Sequence, residues 1–186
     1  MVLSSNGSVT VTKNPLRGSD QRVQARFKFR PAKVNFLFVC ESVPKNDSFF
    51  YDKNSNLYDA TVEAFIRVFR QINPVNFLDK FKEMGFYLDD LCSEPVNHLK
   101  IGADKKKRIA LRKLYEPDLA GRIDLFQPLE IFVTPKEIID NVQSAISSIN
   151  SKIIPVPLPF PAYGNVKQYV EELSEQLERV KITFNL

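Results

Sequence analysis

The chain has 186 residues, enough for one domain with a full core, and its 44% hydrophobic and 26% charged content is ordinary for a globular fold in water. No apolar run approaches the roughly 18 to 20 residues of a membrane-crossing helix, so no membrane is expected as a partner. Cys40 and Cys92 are the only cysteines. Two are too few for a disulfide framework, an all-cysteine zinc site or an iron-sulfur cluster, so neither a cofactor nor a metal is expected. The start, MVLSSNGSVTVTK, lacks a basic segment followed by a long apolar one, so it does not read as a signal peptide. A reducing, cytoplasmic setting is expected.

The net charge of +4 is unevenly spread. Residues 1–33 hold seven Lys or Arg and one acid, whereas the remainder holds 19 basic and 21 acidic residues. This suggests two parts: a basic arm over 1–33 and a single α/β domain over 34–186. Within the arm RVQARFKFR alternates strictly, which predicts a half-buried edge strand. Val23, Ala25, Phe27 and Phe29 would face the protein, and Arg22, Gln24, Arg26, Lys28 and Arg30 would face solvent. Such a row of cations suits phosphate contacts, with Arg22, Arg26, Lys28 and Arg30 touching nucleic acid; edge strands also carry cations simply to block unwanted pairing. The second basic run, KKKRIALRK (Lys105 to Lys113), is read first as a solvated helix face, with a phosphate contact as the alternative.

In chain order, Val34 to Val39 predicts an apolar strand. Leu57 to Gln71 repeats Tyr58, Val62, Phe65, Ile66 and Phe69 at helical spacing. Phe77 to Met84 predicts a second helix ended by Gly85, and Phe86 to Leu91 a strand. A basic helix follows over Asp104 to Leu114, then an irregular, proline-marked stretch. Leu129 to Val133 predicts a third strand, after which Thr134, Pro135 and Glu137 open a helix as a capping box. Its buried stripe is Ile138, Ile139, Val142, Ala145, Ile146 and Ile149. Lys152 to Val156 predicts a fourth strand. Asn165 caps the last helix, with Gln168 at the third position and Val166, Tyr169, Val170, Leu173, Leu177 and Val180 as its stripe.

Continuously apolar strands separated by helices indicate a parallel sheet covered on both faces, with ligands bound beyond the carboxyl ends of its strands. Three segments emerge there: CESVPKNDSFFY (Cys40 to Tyr51), DDLCSEPVN (Asp89 to Asn97) and PLPFPAYGN (Pro157 to Asn165). Glu41 therefore sits at the rim of a cleft. It could work on water, cap a helix or pair with a lysine. Phe49, Phe50 and Tyr51 could stack on a base or pack in the core, and PLPFP could be a rigid turn.

Over roughly residues 33 to 180 the chain resembles the uracil-DNA glycosylase superfamily. VCESVP resembles the Gly-Glu-Ala-Pro-Gly type first motif of its iron-sulfur branch, CSEPVN the Cys-Arg-Pro-Pro-x-Asn segment after the second strand, and LPFP the His-Pro-Ser-Pro second motif. The resemblance implies a three-layer α/β/α fold with a four-stranded, mostly parallel sheet, and Glu41 as the water-activating carboxylate. It puts Leu158 at the place of the histidine that stabilises the leaving base, and Phe160 at that of a serine. Asp89 or Asp90 lies near the place of the base-reading asparagine, and Asn97, Tyr163 and Asn165 join the substrate-binding set. The only histidine, His98, matches no catalytic position. Two functions follow: a DNA base-excision glycosylase acting on a damaged or deaminated base, or a non-catalytic protein that keeps the cleft for nucleic acid, a nucleotide or a protein. DNA is expected as the partner in preference to RNA, and the oligomeric state is left open.

Overall fold

The computed structural model describes the backbone of residues 15–100 and 102–186, and side chains from residue 21 onward within those ranges. The expectation on the first 13 residues lies outside the described residues. Four strands, β1 (Phe36–Ser42), β2 (Phe86–Cys92), β3 (Glu130–Val133) and β4 (Val156–Pro157), form one sheet in the order β2-β1-β3-β4. Every pairing is parallel, with Phe36 opposite both Phe86 and Glu130.

The helices are α1 (Pro15–Lys28), α2 (Asn56–Val68), α3 (Phe77–Glu83), α4 (Gly102–Leu114), α5 (Glu116–Phe126), α6 (Ile139–Ser148) and α7 (Val166–Phe184). Alternation along the strands sorts them into two layers. Phe36, Phe38 and Phe86 face one way and meet Phe65 of α2, Phe81 of α3 and Phe184 of α7. Tyr87 faces the other way and meets Phe126 of α5 at an edge. The arrangement is a parallel α/β fold with helices on both sides of the sheet. Burial on both faces is why β1 reads FLFVC with no polar residue before its end. No described helix is long and apolar enough to cross a membrane.

Four expectations are corrected. The arm forms helix α1 and not an edge strand. Its composition of Gln, Ala, Arg and Lys favours a helix, and the 3.6 period turns Arg22, Arg26 and Phe29 to one side. Phe29 is buried and Ala25 packs on the core as expected, whereas Val23 and Phe27 are 50% and 59% exposed, so the expected protein-facing row is split. Where a strand might have paired, the outer edge of β2 at Leu88 is occupied by the Tyr51 hydroxyl.

The stretch after α4 is helical, because Pro117 stands in the first turn of α5, where a missing N–H costs nothing. The fourth strand is only two residues long, since Pro155 and Pro157 supply no ladder donor. Neither expected cap forms. Thr134 Oγ1 donates to the Pro159 carbonyl at 3.1 Å and α6 begins only after a 3-10 turn at Lys136–Ile138, while the Asn165 side chain makes no cap bond and Val166 is exposed. The remaining stripes of α6 and α7 are buried or packed on the core as expected.

Candidate functional site

Two adjoining clefts open beyond the carboxyl ends of the strands. The first, about 810 Å³, has Glu41 and Ser42 of β1 in its wall, with Asn54, Asn56, Asp90 and Asn97 contributing polar groups. The second, about 570 Å³, lies between α4 and the segment leading into α7. Lys100, Arg108, Phe160, Ala162 and Tyr163 line both.

Glu41 is 6% exposed and faces the α4 side, in phase with Leu37 and Val39. Arg108 and Arg112 stand one turn apart on α4, so both reach it. Arg108 Nε donates to Oε1 at 2.5 Å and its Nη2 to Oε2; Arg112 Nε donates to Oε1 at 2.7 Å, with its Nη2 2.5 Å from the same oxygen. The hydrogen bonds to Glu41 hold the Arg108 guanidinium above its ordinary pKa, against the opposing effect of burial. Both oxygens of Glu41 are thus occupied, and accepting a proton from water would first require an arginine to withdraw.

Asp89 and Asp90 form a second knot. Arg26 of α1 donates to Asp89 Oδ1 at 2.9 Å and to Asp90 Oδ2, and Arg122 of α5 donates to Asp89 Oδ2 at 2.7 Å and to the Asp90 carbonyl at 2.7 Å. Burial raises the Asp90 carboxyl above the usual range, more than Arg26 lowers it. Burial also works against the charge of Arg26, but Asp90 and Asp89 outweigh it and hold the guanidinium above its ordinary value. Asp90 borders the first cleft; Asp89 is held behind it.

The aromatic run does not form an open platform. Phe49, Phe50 and Tyr51 are 2 to 3% exposed, and of the three Phe49 and Phe50 border the first cleft. Tyr51 stacks on Phe29 at 5.9 Å. Leu158, at 1% exposure, lines neither cleft; its amide donates to the Val133 carbonyl at 2.8 Å, so its side chain belongs to the core.

The exposed rings near the site are Phe160 and Tyr163, 39% and 94% exposed. Tyr163 sits at φ +54° in the left-handed region, just before Gly164 at +89°. Such a conformation is uncommon for a bulky residue and projects this ring over both clefts. Asn97 lines the first cleft and its Oδ1 accepts from the Lys45 amide at 3.4 Å; Asn165 lines the second.

Two of the four cations expected at nucleic acid, Arg22 and Arg26, are committed to the protein itself. Arg22 donates to the Pro44 and Asn46 carbonyls at 2.8 and 2.5 Å, bracing the loop after β1, and Arg26 is in the aspartate knot. Lys28 lies over the Phe29 ring and Arg30 over Phe27, both at the surface. The expected solvent-facing row is therefore reduced to its last two members. Sequence reasoning missed Arg108, Arg112 and Arg122 as partners of the three carboxylates. The i, i+4 spacing of Arg108 and Arg112 was the available signal, obscured by four neighbouring cations. His98 is exposed and lines neither cleft. No protein-family model matches the chain, and a search of curated proteins finds no match.

Proposed function

We propose that the chain is a cytoplasmic nucleic-acid-binding protein of uracil-DNA glycosylase-like fold, holding one unstacked base of a DNA strand in the first cleft. The observation that supports this is the pairing of that cleft with exposed aromatic rings, Phe160 and Tyr163, on a rim shared with Lys100 and Arg108. Rings of this kind hold bases by stacking, and the amides of Asn54, Asn56 and Asn97 can read a base edge. With Glu41 held by two guanidinium groups and Leu158 in the core, binding is favoured over excision.

Base excision is the second reading, because Glu41 lies in the wall of a base-sized cleft. There a carboxylate freed from Arg108 could take a proton from water and steady a cationic sugar.

The test is titration of labelled single-stranded and duplex DNA over a salt series, with Tyr163→Ala and Phe160→Ala alongside. Affinity should fall steeply with salt, and each truncation should weaken binding by about 5- to 150-fold, the range expected for one lost base stack. Wild-type binding retained in both variants would remove the rim from the contact surface. The same oligonucleotides carrying deaminated or damaged bases test excision. Base release that drops about 10²-fold or more in Glu41→Gln would establish the catalytic role.

A further inference from the structure

We infer that the second cleft is a phosphate site, receiving the phosphate of the nucleotide whose base lies in the first cleft. This rests on the proposed function and extends it to the group that anchors the ligand. Five cations line the cleft, Lys100, Lys105, Arg108, Arg112 and Lys136, against the single carboxylate of Glu137. Even with Glu41 counted against its two arginines, cations outnumber carboxylates five to two.

The cations are arranged, not scattered. Lys105, Arg108, Ile109 and Arg112 occupy positions i, i+3, i+4 and i+7 of α4, so one face of this helix forms the wall, while Lys106 and Lys107 of the same helix lie outside it. Glu41 fixes the wall in place. Arg108 and Arg112 each engage it through Nε and Nη2, so neither Nη1 is used on Glu41 and both planes are already oriented. Guanidinium forks pre-set in this way suit the tetrahedral oxygens of a phosphate better than freely moving lysines do. The position follows from the shared rim. Because Lys100, Arg108, Phe160 and Tyr163 border both clefts, a base in one and its own phosphate in the other are neighbours.

The experiment titrates the full-length protein with thymidine, thymidine 5′-monophosphate, inorganic phosphate and a thymidine tetranucleotide. Two double variants of equal charge change are compared: Lys105→Gln with Lys136→Gln, and Lys106→Gln with Lys107→Gln as the control outside the cleft. The monophosphate should bind at least about tenfold tighter than the nucleoside, and inorganic phosphate should compete with it. The gain should fall below about threefold in the first variant and persist in the second. If the tetranucleotide binds tighter than the mononucleotide and loses affinity in the same variant, the site serves a strand phosphodiester; equal affinity assigns it to a free nucleotide. Equal binding of nucleoside and monophosphate, or equal losses in the two double variants, overturns the phosphate site and leaves the proposed function standing. No binding of nucleoside, mononucleotide or tetranucleotide overturns both.

Discussion

The Tyr51 hydroxyl closes the outer edge of the sheet at Leu88, donating to its carbonyl at 2.9 Å and accepting from its amide at 2.8 Å. One side chain thus supplies both hydrogen bonds that a further strand would have made at this residue. Burial holds the phenol pKa well above its ordinary value, so it remains a donor throughout the physiological range.

Tyr51→Phe keeps the ring and its stack on Phe29 but leaves both backbone groups of Leu88 without a partner. A loss of about 1–3 kcal/mol is expected, read as a lower urea midpoint at unchanged slope. An unshifted midpoint would mean that water replaces the hydroxyl at no cost.

The aspartate knot gives a pH signature. Burial lifts Asp90 above its ordinary 3.8, so between that value and its folded pKa the folded protein holds a proton that the unfolded chain has released. Stability from this group is therefore fully present below 3.8 and lost as pH rises through the folded value. Urea midpoints of the wild type should carry this downward component across that window, and Asp90→Asn should lack it. Parallel profiles for the two proteins would refute the assignment.

Both thiols are predicted to be inert in the folded protein. Burial first, and Glu41 next, push Cys92 up to about 12, and burial raises Cys40 well above its ordinary value. The thiolate is the reactive form, so a thiol-specific reagent at neutral pH should label neither cysteine until denaturant is added, and both thereafter. Rapid labelling of either in buffer alone would show an opening that reaches the end of β1 or β2.

Gly85 turns the chain into β2 at φ +81°, and a Cβ there would stand 2.7 Å from Asn35 Nδ2. Its carbonyl accepts from the Asn35 and Phe36 amides, which sets the β1–β2 register. Gly85→Ala should cost about 1–3 kcal/mol in unfolding free energy through left-handed strain and this approach. A thermal midpoint equal to that of the wild type would show that the turn rearranges freely.

The parallel sheet was legible because apolar runs bounded by turns reflect burial on both faces, and VNFLFV is such a run. Glu41 was legible as the carboxylate ending that run at the rim of a cleft. Its partners were not, since Arg108 and Arg112 lie 67 and 71 residues away among similar cations, and only the fold selects which of them turn inward. Helix α1 misled because RVQARFKFR places polar residues, four of them cations, at every second position, and Arg22 and Arg26 of that set also lie four apart. A strand would have sent both to solvent, whereas the helix sends both inward. Phe49, Phe50 and Tyr51 looked available because they follow a strand, but Arg22 of α1 lies over Phe49, Phe29 stacks on Tyr51, and Phe50 packs against Tyr58 of α2 and Phe81 of α3.

Helix α4 contains no buried residue; Leu111 rests partly on the core, and Arg108 and Arg112 fasten the helix to Glu41. Its outward positions, Lys106, Lys107, Ala110 and Lys113, are exposed. Folding therefore places almost no constraint on the identity of those side chains. Over evolutionary time the charge on this outer side of the helix can be rewritten by substitution while the sheet, its packing and the cleft-facing Lys105, Arg108 and Arg112 stay as they are, so the protein's surface charge can drift independently of both its fold and its clefts.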